Sequence, residues 1–242
     1  NFFFPKIPII RNHMQWNNKF IYPKSTRSIV QGSRHYSVNE ENLPSVTTIL
    51  KATESEEKKE SLRLWRRKIG DTAADAIMKK SSSRGTKMHK HLEEYLIGQT
   101  KMDLGYDDSY IMSQKIINES LKIKLSEIWG SEINLYYPKK YAGTADAIGI
   151  YDGIESILDF KQSNKTKRKE WITDYFFQVA AYSLAHNFIH KTNITQGVIL
   201  ICTPPPLLEF QEFVIKNEEL VKYQHLFIDK VRQYNKLIDH VL

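Results

Sequence analysis

Near Gly130 the hydrophobic period of this 242-residue chain changes, and that change limits the architectures open to it. Before it, apolar residues recur at helical spacing. Leu62, Trp65, Ile69, Ala73, Ala76 and Ile77 mark a helix over about 55–79, which Gly70 can divide in two. Met88, Leu92, Tyr95 and Leu96 mark another over about 86–97. After a polar loop at 98–108, the Asp107-Asp108-Ser109 caps start a third, to about 129. Beyond Gly130 the chain reads as strands over 131–137, 143–151 and 154–161, with Asp152-Gly153 as a two-residue hairpin turn between the last two. A helix over 173–189, strands over 197–203 and 208–215, and a helix capped at Asn217 and running to about 240 complete the order. This order predicts an α/β fold in which helices flank a mixed central sheet, with a helical N-terminal half.

Upstream, residues 29–38 read as a short hairpin around Gly32-Ser33, and 44–50 lead into the helices. Residues 1–28 have no period. They read either as an ordered arm or as a targeting segment. The expected organisation is that arm followed by one domain over 29–242: a helical arch at 55–129, a sheet at 131–215 and a helix at 217–240.

Composition narrows the function classes. With 41% hydrophobic and 12% aromatic residues the chain can build a core and is not a charged disordered segment. No run approaches the roughly 20 apolar residues that span a bilayer, so no membrane partner is expected. Cys202 is the only cysteine, which excludes an internal disulfide, and its place in an apolar strand reads as core rather than nucleophile. The net charge of +7 is uneven: residues 1–39 hold six Lys or Arg and no acid, and the rest hold 29 basic and 28 acidic residues. A nucleic-acid surface on the body must therefore be a local patch.

The chemistry gathers in a few places. In Asp159-Phe160-Lys161, alternation along a strand puts the carboxylate and the ammonium on one face, an arrangement suited to metal-assisted hydrolysis. Asp146 lies in Gly143-Thr144-Ala145-Asp146-Ala147, an acid inside an apolar strand, which is costly unless it is paired or ligates a metal. The hairpin would bring it beside Asp159, so both can reach one ion; the bland alternative is that Asp146 only pairs with Lys161 or a nearby arginine. His89 and Glu93, four apart on a helix, flank its core stripe. His89 is either a structural histidine or a third ligand, with Glu93 orienting its ring or acting through water. Gln178 and Tyr182 share a helix face and can donate to phosphate; read blandly, Tyr182 is a core aromatic and Gln178 a surface residue. Lys165, Lys167, Arg168 and Lys169, with Arg84, Lys87 and Lys90, offer a local track for DNA. Arg63, Arg66, Arg67, Lys79 and Lys80 add charge along the arch, where Trp65 reads as core or as a base-stacking residue.

Taken in order, Gly85-x-x-x-His89, Gly143-Thr144-Ala145-Asp146, Asp159-Phe160-Lys161 and Gln178-x-x-x-Tyr182 resemble the RecB-like branch of the PD-(D/E)XK nuclease superfamily. Over about 29–215 the chain is similar to the mitochondrial genome maintenance exonucleases and their phage-encoded relatives. The resemblance implies a restriction-endonuclease-like fold and one or two Mg²⁺ or Mn²⁺ ions held by His89, Asp146, Asp159 and the Phe160 backbone carbonyl, with Lys161 assisting the attacking water. Gln178 and Tyr182 match the later family motif, and Glu132 matches more loosely an acid found before Asp146. Ala145 stands where the family's proline is usual. The expected function is a monomeric DNA exonuclease acting on single-stranded ends or flaps in replication, repair or genome maintenance. It would be intracellular, in a host cytoplasm if phage-encoded or a mitochondrion if eukaryotic. Alternatives are a structure-selective endonuclease of the same fold and a relative that grips DNA without cutting. A RecB-like helicase would need a Gly-x-x-x-x-Gly-Lys-Ser/Thr loop, and these residues hold none; they hold no cysteine quartet either, which excludes the iron–sulfur sub-branch.

Overall fold

The computed structural model describes residues 14–99 and 107–239. Most of the polar loop, the first 13 residues of the expected arm and the last residue of the expected 217–240 helix lie outside them. The chain is mixed α/β, with a mixed six-stranded sheet flanked by helices, as the sequence predicts. In chain order the sheet strands are β1 (Gln15–Trp16), β5 (Leu125–Tyr137), β6 (Tyr141–Tyr151), β7 (Ile154–Gln162), β8 (Gln196–Cys202) and β9 (Phe210–Lys216), lying side by side in that sequence. The β1–β5 and β7–β8 pairs are parallel and the others antiparallel. A second sheet of three antiparallel strands, β2 (Thr26–Val30), β3 (Ser33–Val38) and β4 (Glu41–Pro44), covers one end of β6.

Both faces of the large sheet are buried. On one, α1 (Val46–Ala52), α6 (Thr173–His190) and α7 (Asn217–Asp239) pack Ile49, Phe176, Val179 and Phe227 against Ile148, Ile157 and Ile199. On the other, α3 (Asp71–Leu96) and α4 (Asp108–Ile116) pack Met88, Leu92, Leu96 and Met112 against Ala147, Leu158 and Leu200. Strand β8 is buried along its whole length, which explains its unbroken apolar run and places Cys202 in the core. Burial pushes the Cys202 thiol up to about 12, which removes it as a nucleophile. Among the described residues no helix is long and apolar enough to cross a membrane.

Three sequence expectations change. The helices expected at 55–79 and 86–97 become α2 (Glu56–Ile69) and one long α3, divided at Gly70. The helix expected to reach 129 ends earlier. It runs as α4, a π-helical turn over Ile117–Leu121 and a last turn, α5 (Lys122–Lys124); β5 begins at Leu125. Leu125, Ile128 and Trp129 have helical spacing, but two register shifts in β5, between Leu125/Glu127 and Ile128/Gly130, produce that spacing in a strand. Finally, Trp65 stands outside every buried cluster, since α2 buries none of its residues.

Candidate active site

The site lies where β6 and β7 part. Their antiparallel register ends at Ala147 opposite Leu158. Beyond it the next carboxylate takes over a ladder position: the Phe160 N–H donates to Asp146 Oδ2 at 2.6 Å. This holds the strands as a fork, with Asp146 on one prong and Asp159 on the other. Alternation along β7 then sends Phe160 into the α3 side of the core and leaves Asp159 and Lys161 on the α6 side.

Two groups of residues meet at this fork. His89, on α3, donates from Nε2 to the Phe160 carbonyl at 2.8 Å, and its Nδ1 lies 3.5 Å from Asp146 Oδ1 and 3.9 Å from Glu132 Oε1. His89, Glu132 and Asp146 bring one ligand atom each within 4.8 Å of one another. Glu132 reaches this cluster from a strand residue with φ of 50°, a left-handed conformation rare outside glycine and costly unless its surroundings hold it. Lys161 Nζ donates to Asp159 Oδ1 at 2.6 Å and to Gln178 Oε1 at 3.1 Å, and it sits 5.1 Å from the centre of the Tyr175 ring. Asp159 Oδ2 is buried, and its only close partner among the described residues is the same ammonium, at 2.6 Å.

The charges are tightly coupled. Burial opposes the His89 imidazolium, but the Asp146 and Glu132 carboxylates outweigh it and raise the ring to about 10. Burial works against ionised Asp146 too, and His89 with Lys161 pulls it below the usual carboxylate range. Asp159 goes the other way: burial, with repulsion from Asp146, pushes it up to about 6 against the pull of Lys161. Lys161 is raised despite burial because Asp159 and Asp146 face it, so it remains an ammonium. Glu93, one turn beyond His89, is raised by burial and by Glu132 and Glu94, which makes it part of the same acidic pocket though not of the 4.8 Å cluster.

The remaining predicted residues sit around this fork. Tyr182 is buried, and Gly143 makes room for it: a Cβ there would lie 2.7 Å from the Tyr182 hydroxyl. The Gly-Thr-Ala-Asp and Gln-x-x-x-Tyr segments therefore meet in space. Arg84 is nearly buried, and its guanidinium donates to Gln162 at 2.7 and 3.1 Å and to Asn164, so those donors bind the end of β7 rather than standing free. Of the cations expected to line the arch, Arg63 pairs with Glu60 and Arg66 with Asp71 and Asp75. Trp65 and Tyr175 face a cavity of about 540 Å³ that Lys165 and Lys167 also line. Sequence reasoning did not single out Tyr175, although it lies three residues before Gln178 and so shares its helix face.

A divalent ion suits this set of atoms. Two carboxylates and an imidazole offer ligand atoms within 4.8 Å of one another, with the Phe160 carbonyl beside the same ring, and carboxylate and carbonyl oxygens are the ligands that Mg²⁺ and Mn²⁺ take.

Known proteins offer only distant parallels. No protein-family profile matches the chain, and neither does any curated protein. Among solved structures, a protein from Eubacterium rectale designated an exonuclease aligns at 11% identity over 62% of this chain and 66% of its own, with a TM-score of 0.43. A phage-related exonuclease from Haemophilus somnus aligns at 13% identity over 82% of this chain and 96% of its own, with a TM-score of 0.36. The protein SSO0001 aligns at 16% identity over 72% of this chain and 70% of its own, with a TM-score of 0.37. Scores this low do not establish a shared fold.

Proposed function

We propose that this chain is a metal-dependent DNA nuclease of the PD-(D/E)XK type, an exonuclease that acts on single-stranded ends or flaps. The observation that carries this reading is the fork itself. Glu132 from β5, Asp146 from β6 and His89 from the facing helix converge on one point, and Asp159, outside that cluster, stands on the other prong of the fork with the buried, charged Lys161 bonded to it. Mg²⁺ or Mn²⁺ held by His89, Asp146, Asp159 and the Phe160 carbonyl, with Glu132 beside them, would polarise the phosphodiester and offset its charge.

The chain's own groups do the rest. Asp159 and Asp146 favour the ammonium form of Lys161, and its Nζ beside Asp159 suits it to donate to the attacking water or the phosphoryl oxygen. Gln178 fixes the direction of Lys161, and the Tyr175 ring supports its charge. His89 is held by the Phe160 carbonyl, so α3 and β7 set the fork's width together. The cavity between Trp65 and Tyr175 can take an unstacked base, which favours a single strand over a stiff duplex.

The test is a digestion assay on end-labelled linear, circular and blunt duplex DNA with Mg²⁺, with Mn²⁺ and with EDTA. The expected result is rapid loss of linear single strands with either metal, slow loss of blunt duplex, and none of circles or with EDTA. Rapid cutting of circles would establish the endonuclease alternative, and cutting in EDTA would end the metal assignment.

A further inference from the structure

The register of the β2–β3 hairpin creates a cationic surface that the sequence does not advertise. Arg27 lies opposite Tyr36, and Ile29 opposite Arg34. Cross-strand partners share a face, so all four side chains project from one side of the small sheet. At one end of this row Tyr36 is buried, with its hydroxyl 3.4 Å from Thr144 Oγ1 on β6, two residues from Asp146. At the other end the row leaves the core, and Ile29 is 63% exposed. Helix α1 and the start of α2 form the facing wall. Between them is a cavity of about 570 Å³ lined by Arg27, Arg34, Thr47, Thr48, Lys51 and Lys59, with no carboxylate in the lining. Lys59 is paired with Glu56, but Arg27, Arg34 and Lys51 have no ion-pair partner among the described residues.

We propose that this groove binds the sugar–phosphate backbone of the single strand on its way to the fork, an inference that rests on the nuclease reading above. Cations left unpaired on both walls, without an acid between them, suit a repeating anion better than a single small one. Ile29 and the alkyl stem of Lys51 give the floor and wall an apolar component against which sugars can pack. The row ends at Thr144, about 7 Å of strand from Asp146, so a strand held here is aimed at the site. Each phosphate neutralised releases counterions, so the groove would supply affinity that depends on strand length and on salt.

The test uses the full chain and oligothymidylates of increasing length carrying a fluorescent label, with anisotropy read in EDTA at several salt concentrations. For the wild type, affinity should rise with length until the groove is filled. In the triple variant Arg27→Gln/Arg34→Gln/Lys51→Gln that rise should flatten. The slope of log K against log salt should fall by about 2, from about 0.7 per phosphate contact on a single strand, and long oligomers should bind roughly tenfold more weakly at moderate salt. Cleavage of the shortest oligomer in Mg²⁺ should be unchanged. If the triple variant folds poorly, Arg27→Gln/Lys51→Gln, which alters two exposed residues, should still lower the slope by about 1.4. Lys222→Gln/Lys236→Gln on α7 should leave it unchanged. A folded triple variant with the wild-type slope overturns the proposal, as does tighter binding of duplex than of single strand at equal length. A wild type that binds in this length-dependent way but does not cut would uphold the groove and sink the nuclease reading instead.

Discussion

The fork between β6 and β7 and the cationic surfaces around it use charge in opposite ways. At the fork Asp146, Asp159, His89 and Lys161 are largely enclosed and hold one another, so each fixes the position of the next. On α2 and in the β2–β3 groove the charges face water. There the difference is between cations already spent on local acids, such as Arg63 and Arg66, and cations with nothing opposite them, such as Arg27 and Arg34. A dense run of positive charge along a helix is therefore a poor guide to where a polyanion binds, because its own helix and the next supply the neutralising acids. Two arginines seven residues apart on a hairpin do more, since register brings them together.

The comparison can be broken or sharpened by substitution. The largest effect should come from the fork. Asp159→Asn keeps the shape and removes the charge, and cleavage of an end-labelled single strand should fall at least about a thousandfold, on the order of 4 kcal/mol of transition-state stabilisation. Binding measured by anisotropy should persist. Near-normal cleavage by this variant at ordinary Mg²⁺ would show that the buried charges only satisfy each other.

A smaller effect should follow from Gly143→Ala, which drives a methyl toward the Tyr182 hydroxyl. Overpacking of this kind costs about 1–3 kcal/mol, and thermal melting should show it as a drop of several degrees. Adding Tyr182→Phe removes the nearest atom, leaving the ring Cε1 at 2.8 Å, and should restore part of the loss. If the double variant melts no higher than Gly143→Ala alone, the hydroxyl contact is not the cause.

The smallest effect should come from Arg66→Gln on the arch. This cation already faces Asp71 and Asp75 in solvent-exposed pairs, which contribute little to stability. The melting temperature and the salt dependence of DNA binding should both stay close to wild type. A salt slope reduced as much as in the groove variant would erase the distinction between spent and free cations.

How much of this was legible in the sequence depends on how local each feature is. The Asp152-Gly153 turn, with both residues at positive φ, fixes the β6–β7 hairpin, and with it the approach of Asp146 to Asp159. The apolar run of β8 and the α6 pattern were equally plain. His89 was visible only through its motif, because its partners lie more than 50 residues away in β6 and β7. Glu132 looked peripheral in sequence, yet it joins the tightest cluster, and nothing local announces the left-handed residue that puts it there. The end of the third helix was misplaced because two bulges give a strand helical spacing. Strand β4, and the pairing of β1 with a strand more than 100 residues away, left no periodic trace at all.

The hydrogen bond from the Phe160 N–H to Asp146 has a consequence for how such a protein can change over generations. The residue answers two demands, one for a charge and one for a short side chain whose oxygen stands in for a missing carbonyl of the sheet. Alanine fails both. Glutamate keeps the charge but is a methylene too long. Asparagine, the isosteric replacement, can still accept the backbone hydrogen while giving up the charge. On the proposed nuclease reading, a lineage that stopped cutting DNA but went on gripping it would thus find its easiest exit at Asp146 through asparagine, and an asparagine at this position in a related chain would be the mark of that history.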